Sequence, residues 1–237
     1  MIVIPLAGES SRFKSEGILE PKWSLSVAGK TILEKSLESV LPSIREHEEI
    51  LFVVNAESES SLKFIIDKCE LLNLHVSILN KPTLGQADSV SQGLMSGNFD
   101  LADRLVIWCG DSAFEPASLN FKSRNGNWLA TSMLEGNHWS FAELVDGEVR
   151  QVTEKLRISN HASIGLYGFN SIKDFMELDL KLVLDNYKEM YVAPLFNQLI
   201  KLNRRVEVIE IEAEKFLPFG TPQELLETSK KHGWTTE

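Results

Sequence analysis

Apolar runs at residues 2–6, 50–55, 74–79 and 105–109 alternate with helical stripes at 31–43, 59–72 and 86–95. In the first stripe Ile32, Leu33, Leu37 and Val40 recur at helical spacing. Strands and helices in alternation predict an α/β chain with a doubly wound, mainly parallel sheet. Residues 50–54 and 105–108 are continuously apolar, the pattern of strands covered on both faces. After residue 120 the pattern changes. Residues 128–134, 139–144, 148–153 and 163–169 read as closely spaced strands, and Val145-Asp146-Gly147-Glu148 reads as a hairpin turn. Helices near 171–184 and 191–203, a strand at 206–211 and a closing helix at 221–232 follow. With no repeat, low-complexity segment or linker, residues 1–237 read as a single domain.

The chain is long enough to bury a sizeable core. A formal net charge of -10 and a pI near 5.1 argue against a nucleic-acid or anionic-membrane surface. They still allow a local positive site from Arg12, Lys22 and Lys155. Cys69 falls in a helical pattern and Cys109 in a buried-strand pattern, so no disulfide framework is expected and a reducing cytoplasm is compatible. No signal peptide or membrane-length apolar run is read, and a cytoplasmic location is expected.

The first strand runs into a small-residue turn at Ala7, Gly8, Ser10 and Ser11. Arg12 follows, and Pro21-Lys22 ends the loop. Small residues let backbone N–H groups approach a ligand, and consecutive N–H groups make a concavity for anions. Arg12 and Lys22 add cations suited to phosphate oxygens. The loop is neither a Rossmann fingerprint, since only Gly8 lies in the turn, nor a Walker A loop. Gly29-Lys30-Thr31 has no glycine five positions before Gly29. A connection from residue 7 to 30 exceeds the roughly 12–15 residues beyond which structureless loops are usually functional or disordered. The plainer alternative is an ordinary polar strand-to-helix connection. Asp111 follows Gly110 at a strand's carboxyl end, where it reads either as a Mg²⁺ ligand in the ligand crevice or as a turn cap.

The motifs continue in order. Leu6-Ala7-Gly8-x-x-Ser11-Arg12-Phe13, Pro21-Lys22 and Gly29-Lys30-Thr31-Ile32-Leu33 come first. Gly85-Gln86-Ala87-Asp88-Ser89-Val90, Gly110-Asp111, Glu154-Lys155, Gly165-Leu166-Tyr167-Gly168-Phe169 and Gly220-Thr221-Pro222-Gln223-Glu224-Leu225 follow. In this order they resemble the sugar-phosphate nucleotidyltransferases, or nucleotide-sugar pyrophosphorylases.

The resemblance implies a Rossmann-like sheet of the GT-A nucleotidyltransferase type, with a small antiparallel extension for the acceptor. Residues 1–115 would form the nucleotide-binding half and 116–237 the acceptor-binding half. The implied activity moves a nucleoside monophosphate from a triphosphate to a sugar-1-phosphate or similar small phosphorylated acceptor and releases pyrophosphate, in bacterial surface polysaccharide synthesis. Leu6, Ala7, Gly8, Ser10, Ser11, Arg12, Lys22, Gly85 and Gln86 would bind the nucleotide. Arg12, Lys22 and Asp111 would be catalytic, with Asp111 on Mg²⁺. Glu154, Lys155 and Gly165 would meet the acceptor. Trp23 reads equally as pocket or core. Asp88 reads as complementing a helix dipole, and His138 as structural. Family members often form dimers or tetramers, so a homo-oligomer is an open expectation.

The sequence departs from the pattern at Pro218, where many members carry a second metal aspartate. Glu212 or Glu214 are candidate substitutes. Competing readings are CTP-dependent activation of a non-sugar phosphate, a glycosyltransferase, and a non-catalytic nucleotide-binding regulatory subunit. Asp111-Ser112-Ala113 lacks the second acid many related glycosyltransferases use.

Overall fold

The computed structural model describes residues 1–69 and 73–234. The chain runs through β1 (Ile2–Pro5), α1 (Ser11–Lys14), a single 3₁₀ turn at Lys22–Ser24 and a small hairpin of β2 (Ser26–Val27) and β3 (Lys30–Thr31). Then come α2 (Ile32–Val40), β4 (Ile50–Asn55), α3 (Glu59–Cys69), β5 (Leu74–Leu79), α4 (Gln86–Met95) and β6 (Leu105–Trp108). The expected end of the second helical stripe, residues 70–72, lies outside the described residues.

Strands β6, β1, β4 and β5 lie side by side and parallel. Side chains of a strand alternate between faces, and here both faces are covered. Ile2, Ile4, Phe52 and Val54 pack with Leu33 and Leu37 of α2 and Leu62 of α3. Val3, Leu51 and Val53 pack with Ala87, Val90 and Leu94 of α4. Two-sided burial is why β1, β4 and β6 are continuously apolar, whereas the edge strand β5 leaves Val76 and Ile78 exposed.

The second half adds β7 (Ser112–Phe114), β8 (Asn127–Met133), β9 (Ser140–Val145), β10 (Glu148–Glu154) and β11 (His161–Phe169). Helices α5 (Ile172–Met176), α6 (Leu180–Tyr187) and α7 (Phe196–Lys201), strands β12 (Val206–Ile211) and β13 (Phe216–Pro218), and α8 (Pro222–His232) complete it. The antiparallel extension joins the main sheet rather than standing apart from it. β11 pairs antiparallel with β6, β8 and β9, β10 pairs with β9, and β12 lies parallel to β8. The β9–β10 turn has Asp146 at φ 52° and Gly147 at φ 78°, the backbone of a primed two-residue hairpin turn.

The structure refines the expected elements in two places. The helix expected at 171–184 is two helices, because the Asp179 carboxylate accepts the Leu182 N–H and starts α6 afresh. The connection from residue 7 to 30 is not structureless. It holds α1, the 3₁₀ turn and the β2–β3 hairpin, seated on Phe13, Val27, Ile32, Ala113, Phe219 and Leu225. Among the described residues no helix is long and apolar enough to cross a membrane.

Candidate active site

A cleft of about 630 Å³ opens at the carboxyl ends of β1 and β6, and every nucleotide, catalytic and acceptor residue expected from the sequence lines it, the substitute acids Glu212 and Glu214 excepted. In open α/β sheets ligands bind at these strand ends.

The loop after β1 forms one wall. Leu6 and Ala7 are buried, and the Leu6 carbonyl accepts the Trp23 indole N–H at 3.2 Å. Trp23 thus serves both expected roles: it is core at 1% exposure and still borders the cleft. Gly8 faces open space. Ser10 stands in the left-handed region at φ 53°. Its carbonyl accepts N–H groups from Phe13 and Lys14, and its hydroxyl accepts the Lys22 N–H at 3.2 Å. This closes the two ends of the loop on each other. Ser11 and Arg12 lie on α1, exposed toward the cleft. Lys22 Nζ reaches across to Asp111 Oδ2 at 2.5 Å.

Asp111 is placed by the end of β6 and by a pairing that has no local sequence signal. Short strands β7 and β13 pair antiparallel, with Ser112 opposite Pro218. The Asp111 carbonyl accepts the Phe219 N–H at 3.1 Å. This brings Gly220 and the start of α8 against the Asp111 side chain.

The turn at Gly85 forms the opposite wall. Gly85 sits at φ 139°, and a Cβ there would lie 2.6 Å from the Met190 nitrogen. Only glycine tolerates both conditions. Backbone bonds from Met190 N–H to Leu84 and from Ala87 N–H to Met190 stitch this turn to residues 188–192. The Gln86 amide donates to Cys109 Sγ at 3.0 Å. Burial, then the nearby Asp111 charge, pushes the Cys109 thiol far up, so it stays a neutral thiol.

Strands β10 and β11 also line the cleft. Lys155 follows β10 at φ 55°, tied by its N–H to the Trp139 carbonyl at 2.9 Å. Its Nζ donates to the Tyr191 hydroxyl at 2.6 Å, and that hydroxyl donates to Glu189 Oε1 at 2.7 Å. Glu154 Oε1 lies 3.9 Å from Lys155 Nζ, and its other oxygen accepts the Ser140 hydroxyl. Burial raises the Glu154 carboxyl above its ordinary range, against the Ser140 bond and the Lys155 charge. Gly165 lies where the pairing of β11 with β8 slips, at φ 83°, and a Cβ there would meet Cys109 Sγ at 2.9 Å.

Polar cleft residues that the sequence did not single out as site residues include His138, Glu189, Tyr191 and Glu224. His138 Nε2 bonds Glu224 Oε1 at 2.8 Å, so the histidine read as structural borders the cleft. Asp88 accepts N–H groups from Leu84 and Gln92, a local structural role. Neither Glu212 nor Glu214 lines the cleft, and Glu212 pairs with Lys215 at the surface. Neither stands where it could replace an acid at position 218. Among the described residues no group of three or more His, Cys, Asp or Glu is arranged to hold a metal. Any ion here needs substrate oxygens, as Mg²⁺ commonly does.

No protein-family model and no curated protein matches the sequence. Solved structures do. A nucleoside-diphosphate-sugar pyrophosphorylase from Vibrio cholerae RC9 is 27% identical with a TM-score of 0.84, the match covering 97% of this chain and 100% of that one. An inositol-1-phosphate CTP transferase from T. maritima shares the fold at 16% identity and TM-score 0.76, covering 97% and 94%. So does a putative glucose-1-phosphate thymidylyltransferase from Bacillus anthracis, at 14% identity and TM-score 0.77, with the same coverage. The fold is the one that these pyrophosphorylase and nucleotidyltransferase structures share, over nearly the whole of this chain.

Proposed function

We propose that this chain transfers a nucleoside monophosphate from a nucleoside triphosphate to a small polyhydroxylated phosphate, a sugar-1-phosphate or a close analogue, and releases pyrophosphate. The observation that carries this is one cleft lined both by the Lys22–Asp111 pair and by Lys155 with Glu154. Two lysines, each beside its own carboxylate, suit two phosphates. A glycosyltransferase, whose donor carries one diphosphate, has no evident use for the second.

In this reading an acceptor phosphate oxygen attacks the α-phosphorus. The new P–O bond forms as the bond to the bridging α–β oxygen breaks, and pyrophosphate leaves with the electron pair. Such chemistry asks for positioning and charge neutralisation. Arg12 and Lys22 neutralise the leaving pyrophosphate. Lys155 holds the acceptor phosphate, and the Glu154 and Glu189 carboxylates offer acceptors for its hydroxyls. Asp111 supplies a hard oxygen for Mg²⁺, whose chemistry when bound is charge neutralisation at phosphate oxygens. The fit is supported at Gly220, whose missing side chain leaves a space beside Asp111 Oδ2. Residues 1–115 take the nucleotide and 116–237 the acceptor. The product serves cytoplasmic supply of activated sugars for surface polysaccharide.

The test is pyrophosphate release with Mg²⁺ and each of CTP, UTP, dTTP, GTP and ATP, against sugar-1-phosphates, inositol-1-phosphate and phosphocholine. Release that needs one triphosphate and one acceptor is expected. Triphosphate binding without release for any acceptor would favour the regulatory reading.

A further inference from the structure

Two helices of this chain begin with the same Thr-x-x-Glu pattern, the signature of a capping box. In α2 the box closes. Thr31 Oγ1 accepts the Glu34 N–H at 3.1 Å, and Glu34 Oε2 accepts the Thr31 N–H at 2.7 Å. In α8 the Thr221 hydroxyl accepts the Glu224 N–H at 3.1 Å, but the Glu224 carboxylate does not return to the cap. It turns into the cleft with 11% of the side chain exposed. His138 fixes its Oε1 at 2.8 Å. Its Oε2 lies 3.2 Å from where a Cβ of Gly220 would stand, and Asp111 Oδ2 lies 3.3 Å from that same point. Two carboxylates from distant parts of the chain thus face one small space, kept open because residue 220 is glycine. Like charges so placed are costly unless a cation lies between or beside them. Lys22 already answers Asp111.

We infer that Glu224 is the second carboxylate of the divalent-metal site, taking from α8 the part that Pro218 cannot play. The assignment rests on the proposed transferase reading and adds to it a residue from another element. Glu224 supplies Oε2 from across the space, with His138 as its positioning residue, since ligating carboxylates are themselves held by hydrogen bonds. Pro218 keeps its place as a β13 residue opposite Ser112.

The experiment is Mn²⁺ binding to the full chain, read by water-proton relaxation, alone and with each of the five triphosphates. Wild type is expected to bind. Glu224→Gln keeps the shape and the N–H that caps the helix, and should weaken Mn²⁺ binding at least about tenfold, as Asp111→Asn should. Should Glu224→Gln melt below wild type, Gly220→Ala takes its place, because the added methyl fills the space between the two oxygens. Loss of Mn²⁺ in Asp111→Asn alone, with wild-type affinity in the other variants, would overturn the Glu224 assignment and leave the transferase reading standing. A wild type that takes up no Mn²⁺ under any condition would overturn the metal site itself, while pyrophosphate release tests the reaction independently.

Discussion

At the amino ends of the central strands, Arg104 and Glu48 pair at 2.5 Å with 6% and 3% of their side chains exposed; at the carboxyl ends, Lys22 and Asp111 pair at 2.5 Å with 25% and 19% exposed. Arg104 immediately precedes β6 and Asp111 follows it closely, so one strand spaces the two pairs apart. The amino-end pair is saturated. Arg104 grips Glu48 with two nitrogens and donates to the Phe121 and Arg124 carbonyls, while Glu48 also meets the Met1 amine at 3.4 Å. At the carboxyl end Lys22 Nζ has one hydrogen-bonded partner among the described residues, Asp111, and the proposed function gives its other two donors to a substrate. The same charge pairing makes a fixed joint where every guanidinium nitrogen is bonded and, in the proposed function, a binding site where donors are spare.

Breaking the saturated pair should have the largest effect. Arg104→Met leaves buried Glu48 with the longer Met1 contact as its remaining ion pair, and should lower stability by about 3 kcal/mol, measured by urea unfolding. An unmoved midpoint would erase the structural side of the comparison. Asp111→Asn should leave the melting temperature near wild type, because a pair that solvent still reaches contributes at most about 1 kcal/mol. It should lower pyrophosphate release by about 10²–10³-fold, the scale of removing one transition-state electrostatic partner. Lys155→Ala should raise the acceptor KM about tenfold with the nucleotide KM unchanged, the scale of one charged hydrogen bond. Equal shifts in both would make Lys155 structural.

The smallest effects are in pH. Burial alone would raise the Glu48 carboxyl, but the Arg104 bonds, the Met1 ammonium and the Arg45 N–H together hold it below its ordinary range. Its contribution to stability is therefore present above the unfolded value near 4.3 and lost as pH falls through the folded one. Glu154 has the opposite sign. Burial raises it, so its contribution is present below about 4.3 and lost as pH rises through its folded value. Urea midpoints across pH 3–7 should show Arg104→Met flattening the acid limb. In the same series Glu154→Gln should gain stability over wild type toward neutral pH, and no gain there would place Glu154 in solvent.

The sequence was most legible where a local apolar pattern marks the element, whether buried on both faces as in β4 or partly exposed as in β5 and β12. The runs at 50–55, 74–79 and 206–211 are strands with those bounds, and 86–95 is a helix with those bounds. The turn at residues 7–12 stood out by its small side chains and Asp111 by its place after Gly110 at a strand end, while Gly85 and Lys155 were reached through the family resemblance. What stayed hidden was non-local. Strands β7 and β13 have three residues each and no period to detect, yet they carry Gly220 and Glu224 to Asp111. Glu224 itself reads as a helix cap, a role its twin Glu34 does fill. Tyr191 and Glu189 sit in a connection whose place against Lys155 depends on the Met190 backbone bonds to the Gly85 turn.

The most direct measurement is pyrophosphate release by Asp111→Asn, normalised to folded protein and set beside its urea midpoint. The account predicts a wild-type midpoint with release lost by at least about 10²-fold. A variant that releases pyrophosphate at the wild-type rate would contradict it, because the carboxyl end of β6 would then be a second structural joint and not the site of the reaction.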